Sequence, residues 1–344
     1  MTALGADWWN DSGVPAELAE AVGLGAVGGT SNPVIVSQAA LANPALCLPL
    51  LEQLAAEHPH ATEDDLAWKL IHVLGLDSAS RLMPVYERTR GRKGFLSMQV
   101  NPKFYPDPRR MLDQALELSA LAPNIAIKAP TTEAGIRAME EMVARGVSVN
   151  ATVSFSVAQA LVVSAAFERG LRRARAGGVA TDKVQLYITL MIGRVDDQLK
   201  RVVEARKLTP TPGIVDWAGI AVFKQAHRLF KGSGRPGTLL AAAYRHENHW
   251  SQIIGPEVLQ TVPYTWWTKF NHSAAEPRLT LEEPVDDKIV AELRAGFPDF
   301  VKAHDADAMQ PAEFIRYGAT LHTLNQFLAG YADLLGFVRA AMLK

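Results

Sequence analysis

The sequence predicts an α/β protein, a (β/α)8 TIM barrel with extra helices, built as a single domain over residues 1–344. Three observations carry that expectation. Short β-branched or alternating runs recur eight times between longer helical patterns, the rhythm of βα units around a parallel sheet. A chain of 344 residues suits one barrel with insertions as well as two domains of roughly 150 residues each, and no linker, repeat or low-complexity tract divides it. No Gly-x-Gly-x-x-Gly follows any of the runs, so a doubly wound sheet, the alternative arrangement, lacks its phosphate cradle.

The elements follow in order. A first strand over Leu4–Trp9 leads through Trp8-Trp-Asn-Asp11 to a helix around Pro15–Val22. A second, Ala26–Thr30, runs into Asn32-Pro33, where the proline suits a first helical turn. Residues 51–93 hold an additional helical stretch with Thr62-Glu-Asp-Asp as its cap. The third strand is Gly94–Val100, and the fourth, Asn124–Ala129, stops at Pro130. Thr131 or Thr132 followed by Glu133 opens a helix over Thr132–Arg145, which Gly146 ends. The fifth strand, Val147–Ser154, precedes a helix over Val157–Ala176. After the sixth, Val184–Met191, come a loop at Thr209–Gly213 and a helix over Val215–Lys231. The seventh and eighth strands are Gly237–Tyr244 and Val258–Pro263. A long loop at Ser273–Pro284 and a C-terminal helix at about 312–344, amphipathic over Phe314–Leu343 and expected to fold over one barrel mouth, complete the chain.

Composition narrows the function. Lys+Arg 35 against Asp+Glu 36 gives a net charge of −1, so there is no electrostatic footprint for nucleic acid or an acidic membrane. At 48% hydrophobic and 21% charged the chain can bury a large core. Cys47, the only cysteine, excludes an intrachain disulfide or a multi-thiolate zinc site and fits a reducing, cytoplasmic setting. Neither a signal peptide nor a membrane span is expected.

Alternate residues of a barrel strand face the lumen and the surrounding helices. In the fifth strand Ser148, Asn150, Thr152 and Ser154 share one face and Val147, Val149, Ala151 and Val153 the other. A buried parallel strand is ordinarily apolar on both faces. A polar inward face therefore implies a wet, functional lumen; an edge strand with one solvated face gives the same pattern. In the fourth strand Lys128 shares parity with Asn124 and Ala126, opposite Ile125 and Ile127. It stands at the carboxyl end, where barrels place catalytic groups. An apolar surround would lower its pKa and supply a neutral amine able to attack a carbonyl; alternatively the lysine reaches out to solvent.

Ser97 and Gln99 join the inward set. Asn32 can bond a hydroxylated substrate. Asp11 is either an acid/base group or a plain helix cap. Arg194 after the sixth strand and Arg245 after the seventh can share one phosphate, or each can form a surface ion pair. His246-Glu-Asn-His249 lacks metal-binding spacing and a further ligand, so no metal and no cofactor is expected.

Thr30-Ser-Asn-Pro33, Pro84-Val-Tyr-Glu-Arg88, Gly94-Phe-Leu-Ser-Met-Gln-Val-Asn-Pro102, Ile125-Ala-Ile-Lys-Ala-Pro130, Gly146-Val-Ser-Val-Asn-Ala-Thr152 and Gly193-Arg-Val-Asp196 resemble, in order, the landmarks of transaldolases, most closely the longer bacterial type. The resemblance implies a metal-free class I mechanism in which a dihydroxyacetone unit passes between sugar phosphates, as in the pentose phosphate pathway. Lys128 matches the Schiff-base lysine and Asp11 the acid/base aspartate. Asn32 and Asn150 match asparagines that hold substrate hydroxyls, and Thr152 the threonine that orients a catalytic water. Thr189 stands where a serine is usual near the donor, and Arg194 and Arg245 match the phosphate-binding arginines. Gln99 replaces the usual catalytic glutamate, as in the related fructose-6-phosphate aldolases. Met191 stands where those aldolases carry a tyrosine, and Ala243 replaces a serine near the phosphate. The alternatives are a divergent sugar-phosphate aldolase or transaldolase of specialised metabolism, or a catalytically weak sugar-phosphate-binding homologue. The partners expected are small sugar phosphates, and homodimerisation is left open.

Overall fold

A computed structural model describes residues 1–343 and closes eight parallel strands into a barrel in sequence order. The strands are β1 (Asp7–Asp11), β2 (Gly28–Thr30), β3 (Phe95–Gln99), β4 (Ile125–Pro130), β5 (Val149–Ser154), β6 (Leu186–Met191), β7 (Thr238–Ala242) and β8 (Val258–Val262). Every expected strand is present. β1 starts three residues later than the sequence suggests, because Thr2–Leu4 form a 3-10 turn instead of extended chain.

The helices are α1 (Pro15–Gly23), α2 (Pro33–Ala42), α3 (Pro44–Glu57), α4 (Glu63–Arg88), α5 (Pro108–Ser119), α6 (Glu133–Ala144), α7 (Val157–Ala176), α8 (Ile192–Arg206), α9 (Ala218–Phe230), α10 (Asn248–Ser251), α11 (Tyr264–Asn271), α12 (Asp287–Gly296), α13 (Pro298–His304), α14 (Pro311–Phe314) and α15 (Gly318–Met342). α3 and α4 form the additional helical stretch, and Thr62 and Asp65 cap α4 reciprocally. The C-terminal segment is not one helix but α14 and α15, separated at Ile315–Tyr317. A side chain at Gly318 would run into Gln198, so glycine lets α15 begin against α8. No single helix among the described residues is long and apolar enough to cross a membrane; α2 and α3 reach that composition only as a pair bent by 106°.

Inward parity runs as the sequence indicates for most of the barrel. Asp11 pairs in register with Thr30, Thr30 with Ser97, Gln99 with Lys128, Lys128 with Asn150, and Pro130 with Thr152. Two residues depart from it. A β-bulge with Val153 at φ 55° shifts β5, so Ser154 pairs with Leu190 and bonds Thr131 (2.6 Å) behind the strand. Asn124 precedes β4 and donates to the carbonyls of Ala79 and Gly94 at 2.8 and 2.9 Å, tying the barrel to α4 and contributing nothing to the lumen.

The lumen is divided by chemistry. Its amino-terminal half is an aromatic floor: Trp9 packs edge-on against Tyr187 with ring centroids 4.7 Å apart, and Phe95 lies 6.3 Å from the same ring. Gly28 makes room for it, since a Cβ there would stand 2.5 Å from the Trp9 indole nitrogen. Above the floor the side chains turn polar, and water is kept from entering from below. Trp9 is only 1% exposed. Its replacement by Ala should therefore cost about 3–5 kcal/mol of stability, read as a fall in the urea unfolding midpoint with unchanged slope. A loss below about 1 kcal/mol would show that the floor is not a packed core.

Candidate active site

The carboxyl end of the barrel gathers the polar residues. β4 ends at Pro130, which leaves Lys128 one layer below the mouth with Gln99 and Asn150 beside it in register. Lys128 is 4% exposed. Burial pulls its pKa down to about 8; Asp11 works against that fall and Arg194 adds to it. At pH 7 about a tenth of such an amine is neutral, roughly two to three hundred times the fraction of an ordinary lysine.

Asp11 ends β1 and is no helix cap, because α1 starts after Val14 and has no side-chain cap. Burial pushes its pKa up to about 6, restrained by the charges of Lys128 and Arg194. Its Oδ1 is enclosed without a protein partner, as are Gln99 Oε1, Thr152 Oγ1 and Arg194 Nε. Buried polar atoms left in this state require a polar partner from outside the fold. An amine and a carboxyl group that both titrate near neutrality, in a polar chamber closed from below, can perform carbonyl addition and proton transfer.

Asn150 is held at both ends. Its amide donates to Ser97 Oγ at 2.9 Å and its carbonyl accepts from Thr189 Oγ1 at 2.6 Å, which leaves one N–H and one lone pair free for a ligand. Thr189 thus spends its hydroxyl proton on Asn150. Asn32 accepts from the Ile35 amide at 3.0 Å as the N-cap of α2, which leaves its amide nitrogen and the second lone pair of Oδ1 available.

Arg194 lies in the first turn of α8, not on β6, and Arg245 follows β7. A Cβ at Gly193 would stand 1.9 Å from the Ala243 carbonyl, so glycine alone lets α8 approach the end of β7 and brings the two arginines together. Burial and the neighbouring Arg245 charge pull Arg194 down to about 10. Arg194 bonds Gln326 of α15 through Nη1 and lies 6.0 Å from the Phe327 ring centre, so the C-terminal helix does reach the mouth. Arg245 grips Asp197 through Nε and Nη2, the latter at 2.7 Å. Met191, 6% exposed, and Ala243, at φ 67°, complete this side. Helix start and guanidinium pair together favour an anion.

Several contributing residues lie outside the sequence reading. Gln326 and Asp197 hold the two arginines, and Asp196 supplies the third ligand-type group beside His246 and His249 that the sequence did not suggest. The adjacent acids Asp196-Asp197 were the one signal available for the aspartates, and they lie past the first turn of α8. Gln326 had none.

Comparison with known proteins finds relatives over most of the chain. A family model described as Transaldolase/Fructose-6-phosphate aldolase matches residues 8–311. The chain is 30% identical over 302 residues to a transaldolase of Neisseria gonorrhoeae, covering 81% of this chain and 85% of that one. It is 26% identical over 346 residues to a transaldolase of Thiobacillus denitrificans, covering 90% and 89%. A transaldolase of Kocuria rhizophila is 28% identical over 328 residues, covering 92% and 88%.

The pKa values give a direct test of the amine. Trapping of a small aldehyde on Lys128 with borohydride should speed up about ten-fold per pH unit below its pKa and level off near pH 8. Asp11 raises the lysine's pKa, so Asp11→Asn should move that midpoint to lower pH. A midpoint in the ordinary lysine range, or an upward shift in the variant, contradicts the buried pair.

Proposed function

The chain belongs to the transaldolase/fructose-6-phosphate aldolase family, and on that premise we propose how its upper barrel moves a dihydroxyacetone unit between sugar phosphates. It is a transaldolase-type sugar-phosphate transferase. Neutral Lys128 attacks the ketose carbonyl, forming a carbon–nitrogen bond and a carbinolamine. Loss of water, with the proton returned to the departing hydroxyl, leaves the protonated imine. Asp11 as carboxylate accepts the C4 hydroxyl proton; the C3–C4 bond breaks, its electron pair enters the imine as an enamine, and the first aldose leaves. An acceptor aldehyde then takes the enamine carbon, Asp11 gives back its proton, and water releases the product from Lys128. The observation that carries this reading is the buried amine with its pKa drawn to about 8 opposite a carboxyl group at about 6.

The neighbours follow from their bonding. Asn150 presents its free N–H and lone pair to substrate hydroxyls, the Asn32 amide does the same across the mouth, and Thr189 positions Asn150. Thr152 and Gln99, both with unpartnered oxygens, hold the water of imine formation and hydrolysis. Arg194 and Arg245 take the phosphate. The lone buried thiol of Cys47 suits a reducing compartment such as the cytoplasm.

The test of function is fructose 6-phosphate with borohydride, which should attach the donor carbons at Lys128, alongside an assay with and without erythrose 4-phosphate. A transferase turns over only with the acceptor; release of triose without it indicates an aldolase, and labelling elsewhere rejects the Lys128 assignment.

Gln99 generates its own expectation. An amide orients water but accepts no proton near neutral pH, whereas a carboxylate acts as a general base, an effect worth 10²–10⁴-fold. Gln99→Glu should raise kcat for transfer from fructose 6-phosphate to erythrose 4-phosphate. A slower variant would mean that the glutamine is tuned to this reaction as it stands.

A further inference from the structure

Behind the two arginines lies a second buried polar cluster that the transfer reaction does not use. Asp196 and His249 are both fully enclosed, with His249 Nε2 2.7 Å from Asp196 Oδ2. The Gly219 amide of α9 donates to Asp196 Oδ1 at 2.8 Å, and His246 Nε2 stands 3.3 Å from Oδ2. On the other edge of the His249 ring, the main-chain N–H of Arg245 donates to Nδ1 at 3.0 Å.

That last bond decides the protonation of the ring. A main-chain N–H can only donate, so Nδ1 must carry a lone pair, and the neutral ring then holds its proton on Nε2, aimed at Asp196. A metal on Nε2 would drive the proton to Nδ1 and set N–H against N–H, so the cluster is built for a proton and not for a cation. Burial lowers the pKa of His249 against the pull of Asp196, with His246 and Arg245 facing it from the segment before α10 and the Tyr244 ring from the strand exit.

Two neighbouring residues of α8 therefore anchor Arg245 twice. Asp197 holds its guanidinium directly, and Asp196 holds its main chain through His249. The segment needs such an anchor, because Ala243 is in the left-handed region at φ 67°, where a residue with a side chain rests only if its surroundings hold it. We propose that Asp196 and His249 are positioning residues for Arg245: Asp196 fixes the His249 tautomer that accepts the Arg245 amide, and this sets the angle at which the guanidinium meets the substrate phosphate. The inference rests on the phosphate role proposed for Arg194 and Arg245.

Asp196→Asn is isosteric, and its oxygen can still serve Gly219, but it turns an N–H toward His249. The ring must then accept at Nε2 and carry its proton on Nδ1, against Arg245. The nitrogen-15 spectrum of His249 should show the proton on Nε2 in the wild type and on Nδ1 in the variant. The KM for fructose 6-phosphate and the Kd for inorganic phosphate should rise about 5- to 10-fold, while kcat and the KM for unphosphorylated fructose hold. A second pair separates anchoring from packing: His249→Asn keeps an acceptor near the Arg245 amide and should preserve KM, while His249→Gln keeps only the reach to Asp196 and should raise it. A wild-type proton on Nδ1, an inverted tautomer with unchanged KM, or equal losses for fructose and its phosphate overturns the positioning role. Wild-type protein that binds no inorganic phosphate rejects the anion site itself.

Discussion

An amine held out of water is the constraint on which the upper barrel depends. Lys128 is charged in solution and 4% exposed in the fold, and burying an ammonium without a full partner is costly. The aromatic floor of Trp9, Phe95 and Tyr187 closes the barrel below it, while Asn150, its neighbour in register, has its dipole already bonded to Ser97 and Thr189. Asp11 returns part of the lost stabilisation, but only part. The result is a pair poised at about 6 and about 8, each able to change protonation near neutrality. A stronger ion pair would have fixed both charges and removed the neutral amine.

Much of this was legible in the chain. Strict alternation in β5 announced a polar lumen, and the position of Lys128 before Pro130 placed it at the functional end. Parity reasoning failed where the backbone breaks its period, so Ser154, expected to face inward, lies behind the bulge at Val153. It failed again at Asn124, which lies outside the strand it was counted in. Asn32 was read for its chemistry, and its local use as a helix cap emerged only with α2 in place. Contacts between residues far apart in the chain had no sequence signal: His249 meets Asp196 across 53 positions and Arg194 meets Gln326 across 132. A pattern in sequence reports the period of an element, not which elements the closed barrel brings side by side.

The arginine side of the mouth obeys the opposite rule from the amine side. There, charge is concentrated instead of suppressed: Arg194 and Arg245 repel each other, Arg201 adds a third guanidinium, and Asp197, with Asp11 facing Arg194, is set against them. The first turn of α8 contributes its own positive end. The surplus is held by anchoring each guanidinium to a different element, Arg194 to α15 and Arg245 to α8, so neither can swing away from the other.

The two sides are not independent, because Arg194 acts on both Lys128 and Asp11. Its charge lowers the pKa of Lys128 and of Asp11 alike. An anion resting on Arg194 offsets that charge, so both values move up on binding. The rise carries Asp11 from about 6 toward neutrality, where a carboxylate is a better match for taking and returning a hydroxyl proton. The same rise makes Lys128 harder to deprotonate, which favours attack by the fraction of enzyme whose amine is already neutral when substrate arrives. By reciprocity, an anion at Arg194 is held with different affinity when Lys128 is neutral and when it is protonated. On the phosphate role proposed for Arg194, a single guanidinium couples substrate capture to the protonation state of Lys128 and Asp11. Its anchoring to Gln326 of α15 gives the structural reason for that helix to reach the barrel mouth.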